Sequence, residues 1–347
     1  MLEKFELKAD SKIYIFCPAG LVTGGAELLH QLCDFLNNNS KKAFIVYYGH
    51  RIHSVPEDYR KYNIYTCEID KIVDENFNLL ICPEVKLVLL NNFKNIHSVV
   101  WWMSVDNYYT SLQANFVITF YSHLKFGLLS AIKSGIKKII LAKKYETYSI
   151  SKLRKNSHIL YHAYQSEYAN NFLHTHGIHN TVSLSDYINP EYIFNTNIIN
   201  GKENFIIYNP QKGYKFTKKL IKYAPDLKWI PIKNMTRDQV KETMLKSKLY
   251  IDFGNFPGKD RMPREAAMCG CCILTGTSGA AAYHEDLCID GDKYKITQKR
   301  KNIPIIIKRI REILKNYNNE IHNFSEYRNI INNEKDIFFE DCKKIFL

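Results

Sequence analysis

Short apolar runs alternate with longer amphipathic segments along most of the chain, and this alternation limits the possible folds more than any other feature. The runs KIYIFCPAG, KAFIVYYG, NLLICPE and HSVVWWMSV have the length and composition of buried strands, and AELLHQLCDFLNNN has apolar residues at helical spacing. Strands that alternate with helices form a parallel sheet covered on both faces. We therefore predict an α/β unit of the Rossmann type in the first half of the chain.

The same alternation begins again near residue 200. ENFIIYNP, LKWIPI and LYIDFG are predicted strands, YKFTKKLIKYAP is a predicted helix, and so is TRDQVKETMLKSK, with Thr236 as its cap and Asp238 in its first turn. A chain of 347 residues also exceeds the usual size of a single core. We expect an N-terminal domain at 1–190, an Asn-rich linker at 191–203, a C-terminal domain at 204–325, and a helical tail at 326–347 that can cross back to the first domain.

The composition narrows the classes of partner. A formal net charge of +13 favours anionic partners: nucleic acid, an acidic membrane surface or a phosphorylated small molecule. Nine cysteines without regular spacing are typical of a reducing compartment, so we expect a cytoplasmic protein. The charged start MLEKFELKAD does not resemble a signal peptide, and no apolar run reaches the roughly 18 to 20 residues of a membrane span, so membrane contact is expected to be peripheral.

Ligands of open parallel sheets bind at the carboxyl ends of the strands, so the strand-to-helix turns are where a site is expected. In PAGLVTGGAELLHQL, Gly24 and Gly25 stand directly before a predicted helix. The free amides and the dipole of a helix start attract phosphate. The alternative for these glycines is a tight turn that requires a positive φ.

A second turn, DFGNFPGKDRMPREAAMCG, is unusually rich in charge. We call Lys259, Asp260 and Arg261 the charged crest; Pro263 is predicted as the first helical residue and Glu265 as the third. In that position Glu265 would be either half of a capping box or an acceptor for two hydroxyls of a ligand, such as those of a ribose. Lys259 and Arg261 would then meet the attached phosphates.

These segments resemble GT-B-fold glycosyltransferases, specifically glycosyltransferase family 4 (glycosyl transferases group 1). PREAAMCGCCILTG is similar to the family's glutamate-bearing helix start, TGGAELLHQL to its opening loop, YNPQKGYKFTKKL to its first carboxyl-domain strand with Lys-Gly, and HAYQSEYANNFLHTHGIHNTVSLSDYIN to the segment that closes its first domain. The resemblance covers most of the chain in the same order. It implies two Rossmann-like parallel-sheet domains facing a central cleft, with a nucleotide sugar as co-substrate and no other cofactor.

The resemblance also implies roles for particular residues. Glu265 would bind the ribose of the donor, Lys212 its diphosphate, and Gly24 with Gly25 would line the cleft beside the phosphate and sugar. One departure stands out, because Pro257 occupies the position eight before Glu265 where the family has a first glutamate. Retention and inversion of the sugar both remain open, and so does a catalytically silent GT-B scaffold.

A second departure is the lack of the arginine that commonly precedes the lysine in NPQKG. Arg261 or Lys259 would supply the lost cation. An inverting enzyme also needs a base to take the acceptor proton. Asp106, which follows the predicted buried strand in WWMSVDNYY, is the first candidate, with Glu27 and His162 after it; the alternative for this aromatic segment is the edge of a core.

No metal site is predicted. Cys269, Cys271 and Cys272 surround a helix end and enter an apolar strand without the C-x-x-C pairs of a zinc site. Asp290 and Asp292 in IDGDKY have the spacing of a metal-diphosphate motif of another glycosyltransferase fold, but a polar turn is the favoured interpretation.

The segment Lys133–Lys155 contains eight lysines and arginines against a single acidic residue, Glu146. Such a run is usually a solvated face, but it can also hold a protein to an anionic membrane, at about 1 kcal/mol per basic residue. The predicted function is transfer of a sugar from a nucleotide sugar to a glycan or lipid-linked acceptor, in capsule or lipopolysaccharide biosynthesis. The competing class is a basic nucleic-acid-binding α/β protein, and because no recognition motif of that class occurs, nucleic acid is not expected as a partner.

Overall fold

Two parallel β-sheets organise the computed structural model of the protein, which describes residues 6–49, 54–111, 127–133, 136, 148–194 and 201–347. The chain divides into two compact units. The first comprises Met1–Gln165, Ala169–Leu184 and Phe339–Leu347, and the second comprises Ser166–Tyr168 and Ser185–Phe338. Each unit contains one of the sheets, so the predicted α/β class with a parallel sheet in each half of the chain is confirmed.

The first sheet has seven strands among the described residues: β1 Lys12–Pro18, β2 Lys42–Tyr48, β3 Tyr65–Thr66, β4 Leu79–Pro83, β5 His97–Trp102, β6 Ile159–Tyr164 and β7 Thr181–Ser183. Their order is β3-β2-β1-β4-β5-β6-β7, and every pairing is parallel. The direction of winding reverses between β1 and β4. We call such a reversal a switch point, and it opens a crevice beyond the carboxyl ends of the two strands.

The second sheet has the order β11-β10-β8-β9 and is also parallel. Its strands are β8 Glu203–Tyr208, β9 Lys228–Pro231, β10 Ser247–Asp252 and β11 Cys272–Thr275. The chain winds from β8 to β9 on one side and places β10 on the other. The switch point of this unit therefore lies between β8 and β10.

Helices follow the strands as the alternating pattern predicts. Up to residue 194 the described helices are α1 Gly24–Asn38, α2 Val105–Ser111, α3 Ile150–Lys155 and α4 Glu167–Thr175, together with helical residues at 128–133 and 136. From residue 201 they are α5 Tyr214–Tyr223, α6 Arg237–Lys246, α7 Arg261–Met268, α8 Gly291–Tyr294, α9 Ile303–Lys315, α10 Tyr317–Glu320 and α11 Ser325–Phe346. Short 3-10 turns occur at Glu57–Tyr59, Ile69–Lys71, Glu84–Asn92, Pro190–Tyr192, Ala280–Ala282, Arg300–Asn302 and Ile321–Phe324.

The central strands are buried on both faces, which explains why they are apolar without a break. Ile13 and Ile15 of β1 and Leu80 and Ile81 of β4 are fully buried. A strand with polar residues at alternate positions would face water on one side, and helices on both faces of a parallel sheet exclude that arrangement. The apolar runs therefore mark the strands, and the polar residues occur in the turns at the ends of the strands.

Two helix starts can be compared with the sequence. The helix predicted at Thr236 is confirmed, because α6 has a complete capping box formed by Thr236 and Gln239. The predicted start of α7 is wrong by two residues, since the helix begins at Arg261. Pro263 is tolerated as its third residue because the first-turn amides have no partner within the helix.

Candidate active site

Two loops meet at the switch point of the second unit. The loop after β8 ends in Gly213, whose φ is +59°. A Cβ atom on Gly213 would lie 2.5 Å from backbone atoms of Phe253 and Gly254, which follow β10. Only a glycine allows the two loops to come this close, and the contact places the neighbouring Lys212 beside the loop that follows β10.

Lys212 is the cation at this edge of the sheet. Its Nζ donates to the carboxylate of Asp260, and it lies 5.3 Å from the centre of the Phe256 ring. The side chains of Lys212 and Asp260 are 27% and 22% exposed, so the pair is accessible from solvent. The predicted phosphate-binding lysine therefore lies at the carboxyl ends of two parallel strands, where ligands of such sheets bind.

Asp252, the last residue of β10, provides a second carboxylate next to Lys212. The Tyr250 hydroxyl donates to its Oδ2 at 3.1 Å and the Gly254 amide donates to its Oδ1 at 2.8 Å. Burial raises the pKa of Asp252 to about 6, although the charge of Lys212 acts in the opposite direction. At the switch point Lys212 therefore pairs with Asp260 and also acts electrostatically on Asp252.

The charged crest is held by a buried ion network in the same unit. Arg264 is fully buried and makes a bidentate pair with Asp186, with N–O distances of 2.9 and 2.7 Å. Its Nη1 also donates to Glu334 at 2.8 Å. The fork of a guanidinium suits such bidentate contacts, and pairing is what permits charges to be buried.

Lys259 and Arg261, the predicted partners of the donor phosphates, belong to this network. Lys259 pairs with Glu334 at 2.9 Å, and Arg261 lies 3.9 Å from Asp186; the two basic side chains are 12% and 13% exposed. Both cations therefore have carboxylate partners within the protein. A phosphate would have to share them with those carboxylates, whereas Lys212 belongs to a more exposed pair.

Glu265 is the fifth residue of α7 and is partly exposed. Its position rules out the capping-box alternative, which requires the third helical residue, here Pro263. The capping interpretation failed because the helix starts two residues earlier than predicted. Binding of ribose hydroxyls by Glu265 stays a prediction.

In the first unit, the loop after β1 leads into α1 at the switch point. Gly24 and Gly25 are the first two residues of α1, capped by the Thr23 hydroxyl, which accepts from the Ala26 amide. Neither glycine has a positive φ, so the tight-turn alternative is wrong for both; in this loop it is Gly20 that has a φ of 61°. A Cβ atom on Gly25 would meet nothing within 4 Å.

Asp106 lies in the first turn of α2, directly after β5, and is partly exposed. Its loop is held by Glu84, which sequence reasoning missed. Glu84 follows β4 at the switch point, is buried, and accepts from the Met103 amide at 3.1 Å. Burial raises the pKa of Glu84 to about 8, although backbone amides oppose the shift. A Pro-Glu pair that ends a buried strand was the available signal.

Glu27 and His162, unlike Asp106, are buried. Glu27 is buried in α1 and accepts from the Tyr62 hydroxyl at 3.2 Å. His162 is buried in the middle of β6, and its Nδ1 accepts from the Trp102 indole at 3.0 Å. Burial lowers the pKa of His162 to about 4, so its imidazole is neutral at pH 7.

The cysteines and aspartates considered as metal ligands in the sequence have different surroundings in the structure from those of a metal site. Cys269, Cys271 and Cys272 are buried, and burial raises the pKa of Cys271 to about 11. Asp290 caps α8, where its carboxylate accepts from the Asp292 and Lys293 amides, as the polar-turn interpretation predicts. Within the described ranges, no group of three His, Cys, Asp or Glu residues is arranged to hold a metal ion.

The chain was compared with known proteins. No family model and no curated sequence matches it. Among solved structures, a point mutant of S. aureus TarM, in complex with fondaparinux, alpha-GlcNAc-glycerol and UDP, matches over 80% of this chain and 57% of its own, at 15% identity and a TM-score of 0.53. This chain thus spans little more than half the length of TarM.

Two further structures match over nearly their whole length. The lipopolysaccharide outer core galactosyltransferase WaaB, in its apo form, covers 96% of this chain and 98% of its own, at 11% identity and a TM-score of 0.61. An alpha-glucosyltransferase in complex with UDP and a 13-mer DNA covers 96% and 99%, at 11% identity and a TM-score of 0.57. These likenesses establish the fold class, which is the GT-B fold of glycosyltransferases, as predicted; membership of family 4 stays a prediction.

Proposed function

We propose that the protein is a glycosyltransferase that takes its sugar from a nucleotide-sugar donor bound at the switch point of the second unit. The observation that carries the proposal is Lys212, a partly exposed cation at the carboxyl ends of two parallel strands. The residue after it, Gly213, caps α5 without a side-chain hydrogen bond, so the first amides of α5 have no side-chain acceptor and lie next to Lys212 in the chain. That combination suits a diphosphate.

In this proposal Lys212 and the start of α5 stabilise the charge that develops on the nucleoside diphosphate as the sugar leaves. Glu265 accepts from the two ribose hydroxyls. The donor is a co-substrate, and no further cofactor or metal is required. Gly25 leaves open space at the start of α1, because a Cβ atom there would meet nothing within 4 Å, and Gly24 with Gly25 remains the proposed lining beside the phosphate and sugar.

Asp106 is the proposed base for the acceptor hydroxyl if the sugar is inverted. It lies in the first helical turn after β5 and is partly exposed, as a group that meets substrate must be. Glu27 and His162 are buried, and the Trp102 indole already donates to the imidazole. Their surroundings support packing roles better than proton transfer.

The proposed acceptor is a glycan or a lipid-linked glycan at the inner face of a membrane. Leu128 and Ile132, one helical turn apart, and also Leu129 and Ile136 are exposed beside Lys133. Most of Lys133–Lys155 lies outside the described residues. The proposed contact is peripheral. No described helix is long and apolar enough to cross a membrane. Sedimentation with vesicles of phosphatidylglycerol, compared with vesicles of phosphatidylcholine, tests this contact. If the protein binds neither kind of vesicle, the membrane is removed from the proposal.

The proposed function is tested first by thermal shift against UDP, GDP, CDP, dTDP and ADP. A ligand that binds only the native state raises its stability, by about 2.7 kcal/mol at a hundredfold excess over Kd. Transfer of labelled sugar from the matching donor then separates an enzyme from a silent scaffold. A nucleotide that binds without any turnover of its sugar form would support the scaffold instead.

A nucleic-acid acceptor is the second candidate. The net charge of +13 and the fold shared with an alpha-glucosyltransferase in complex with DNA both favour testing it. Duplex DNA is added to the transfer assay and the DNA is analysed for labelled sugar. Labelled DNA would identify DNA, instead of a glycan, as the acceptor. DNA binding without nucleotide binding would support the non-enzymatic alternative.

A further inference from the structure

The two carboxylates near Lys212, Asp252 and Asp260, differ in how firmly they are held. Both oxygens of Asp252 accept hydrogen bonds, one from Tyr250 and one from Gly254, and the side chain is buried. The Asp260 carboxylate is partly exposed and pairs with Lys212. Asp252 is therefore a fixed counterion, whereas Asp260 has room to change partner.

The backbone of Asp260 is fixed although its side chain is not. The buried Arg264 donates through Nε to the Asp260 carbonyl at 3.1 Å and through Nη2 to the Lys259 carbonyl at 3.2 Å. A change of partner by Asp260 therefore needs only rotation of its own side chain. No rearrangement of the charged crest has to accompany it.

A second partner for the Asp260 carboxylate lies next to it. Asp260 is the N-cap residue of α7, yet its side chain makes no capping hydrogen bond. Aspartate at this position normally accepts from the second or third amide of the helix. The third residue is Pro263, which has no N–H, so the Met262 amide is the one that Asp260 would reach.

We propose that Asp260 competes with the donor diphosphate for Lys212 and turns to the Met262 amide when the diphosphate takes the lysine. This inference rests on the proposed function and adds a residue that sets the affinity of its donor site. The exchange keeps each charge paired: Lys212 passes from a carboxylate to a diphosphate, and Asp260 passes to the positive end of a helix. If Asp260 did not change partner, its negative charge would lie beside the bound diphosphate and repel it.

The test is calorimetric titration of the full chain with UDP, GDP, CDP, dTDP, ADP and inorganic pyrophosphate. Asp260→Asn removes the competing charge but keeps a good N-cap residue, so binding of the diphosphate should tighten about tenfold. Binding of the bare nucleoside should not change. Asp260→Ala should tighten binding by a similar factor, because asparagine caps α7 in both the free and the bound state and its cap cancels from the affinity; in urea unfolding, Asp260→Ala should be the less stable of the two.

Asp290→Asn is the matched control. Asp290 is also an N-cap aspartate of the second unit and pairs with Lys293 at 3.3 Å, so the variant removes the same charge elsewhere. It should leave the affinity unchanged. Equal or weaker diphosphate binding by Asp260→Asn, with wild-type binding intact, overturns the exchange and leaves the donor site standing. Absence of diphosphate binding in the wild type and in Asp260→Asn removes the donor site and this inference together.

Discussion

Glu265 lies in the second turn of α7, where its carboxylate is too far along the helix to cap it. If it accepts from both ribose hydroxyls, Glu265→Gln weakens two charge-assisted bonds and should cost about 1 to 3 kcal/mol of donor binding, which is roughly tenfold to a hundredfold in affinity. Calorimetry with the nucleoside diphosphate measures this loss, and urea unfolding should show little change in stability.

Glu242→Gln is the control for that variant, because Glu242 is exposed on α6 of the same unit. It should alter neither nucleotide affinity nor stability. If the Glu265 and Glu242 variants bind the nucleotide equally well, Glu265 has no part in the donor site.

Glu84 makes stability depend on pH in a predictable direction. Burial raises its pKa to about 8 from an ordinary value of 4.5, so between these values the folded chain holds a proton that the unfolded chain has lost. Its contribution to stability is full below pH 4.5 and falls as the pH rises towards 8, by at most about 1.4 kcal/mol per pH unit. The pKa values of its neighbours Cys82 and Tyr48 are raised by burial, so neither ionises in this window.

Glu84→Gln removes that titration and keeps an acceptor for the Met103 amide. Relative to wild type, the variant should therefore gain stability as the pH is raised from 5 to 8. Urea unfolding of both proteins at several pH values measures the difference. A constant difference across this range would show that Glu84 does not bind a proton there.

At the scale of elements, a buried ion network holds the start of α7. Arg264 pairs with both Asp186 and Glu334 and is fully buried. Arg264→Met leaves two carboxylates buried without their main partner, which typically costs about 3 to 5 kcal/mol. Urea unfolding should show a loss of this size, and nucleotide binding should weaken because the charged crest is no longer fixed.

Arg311→Met is the matched control for Arg264→Met. Arg311 makes an equally well-formed pair with Asp226, at 2.8 and 2.9 Å, but both side chains are about half exposed. Exposed pairs contribute little, so this variant should unfold almost as the wild type does. Equal effects of the two substitutions would mean that the buried network does not secure α7.

The α/β alternation and most of the long strands could be predicted from sequence, because burial on both faces leaves continuous apolar runs such as NLLICPE; the two-residue strand β3 and the strand β6 were not predicted. The partners of the crest could not be predicted, because Arg264 contacts Asp186 and Glu334 across 78 and 70 residues of chain. The start of α7 was misplaced for a local reason: proline is acceptable at several first-turn positions. Asp260 is the N-cap residue, a role that its place in a charged run does not indicate.

At the scale of the whole molecule, we propose that Lys212 and helix starts, rather than a divalent ion, neutralise the charge of the diphosphate. Sugar transfer should therefore survive EDTA, with a rate close to that of the untreated enzyme. The control is an equal concentration of EDTA saturated with calcium. Loss of turnover that magnesium or manganese restores would be incompatible with this account and would direct attention to Asp290 and Asp292.

The proposed donor site depends on the claim that Lys212 at the switch point of the second unit binds the donor diphosphate, and calorimetry of Lys212→Ala measures that contact. Lys222→Ala, in the last turn of α5, serves as the control. Loss of one charge-assisted phosphate contact should weaken binding of the nucleoside diphosphate by about tenfold to a hundredfold, while the bare nucleoside binds as before and the Lys222 variant matches wild type. Equal diphosphate affinities for wild type and Lys212→Ala would contradict the claim.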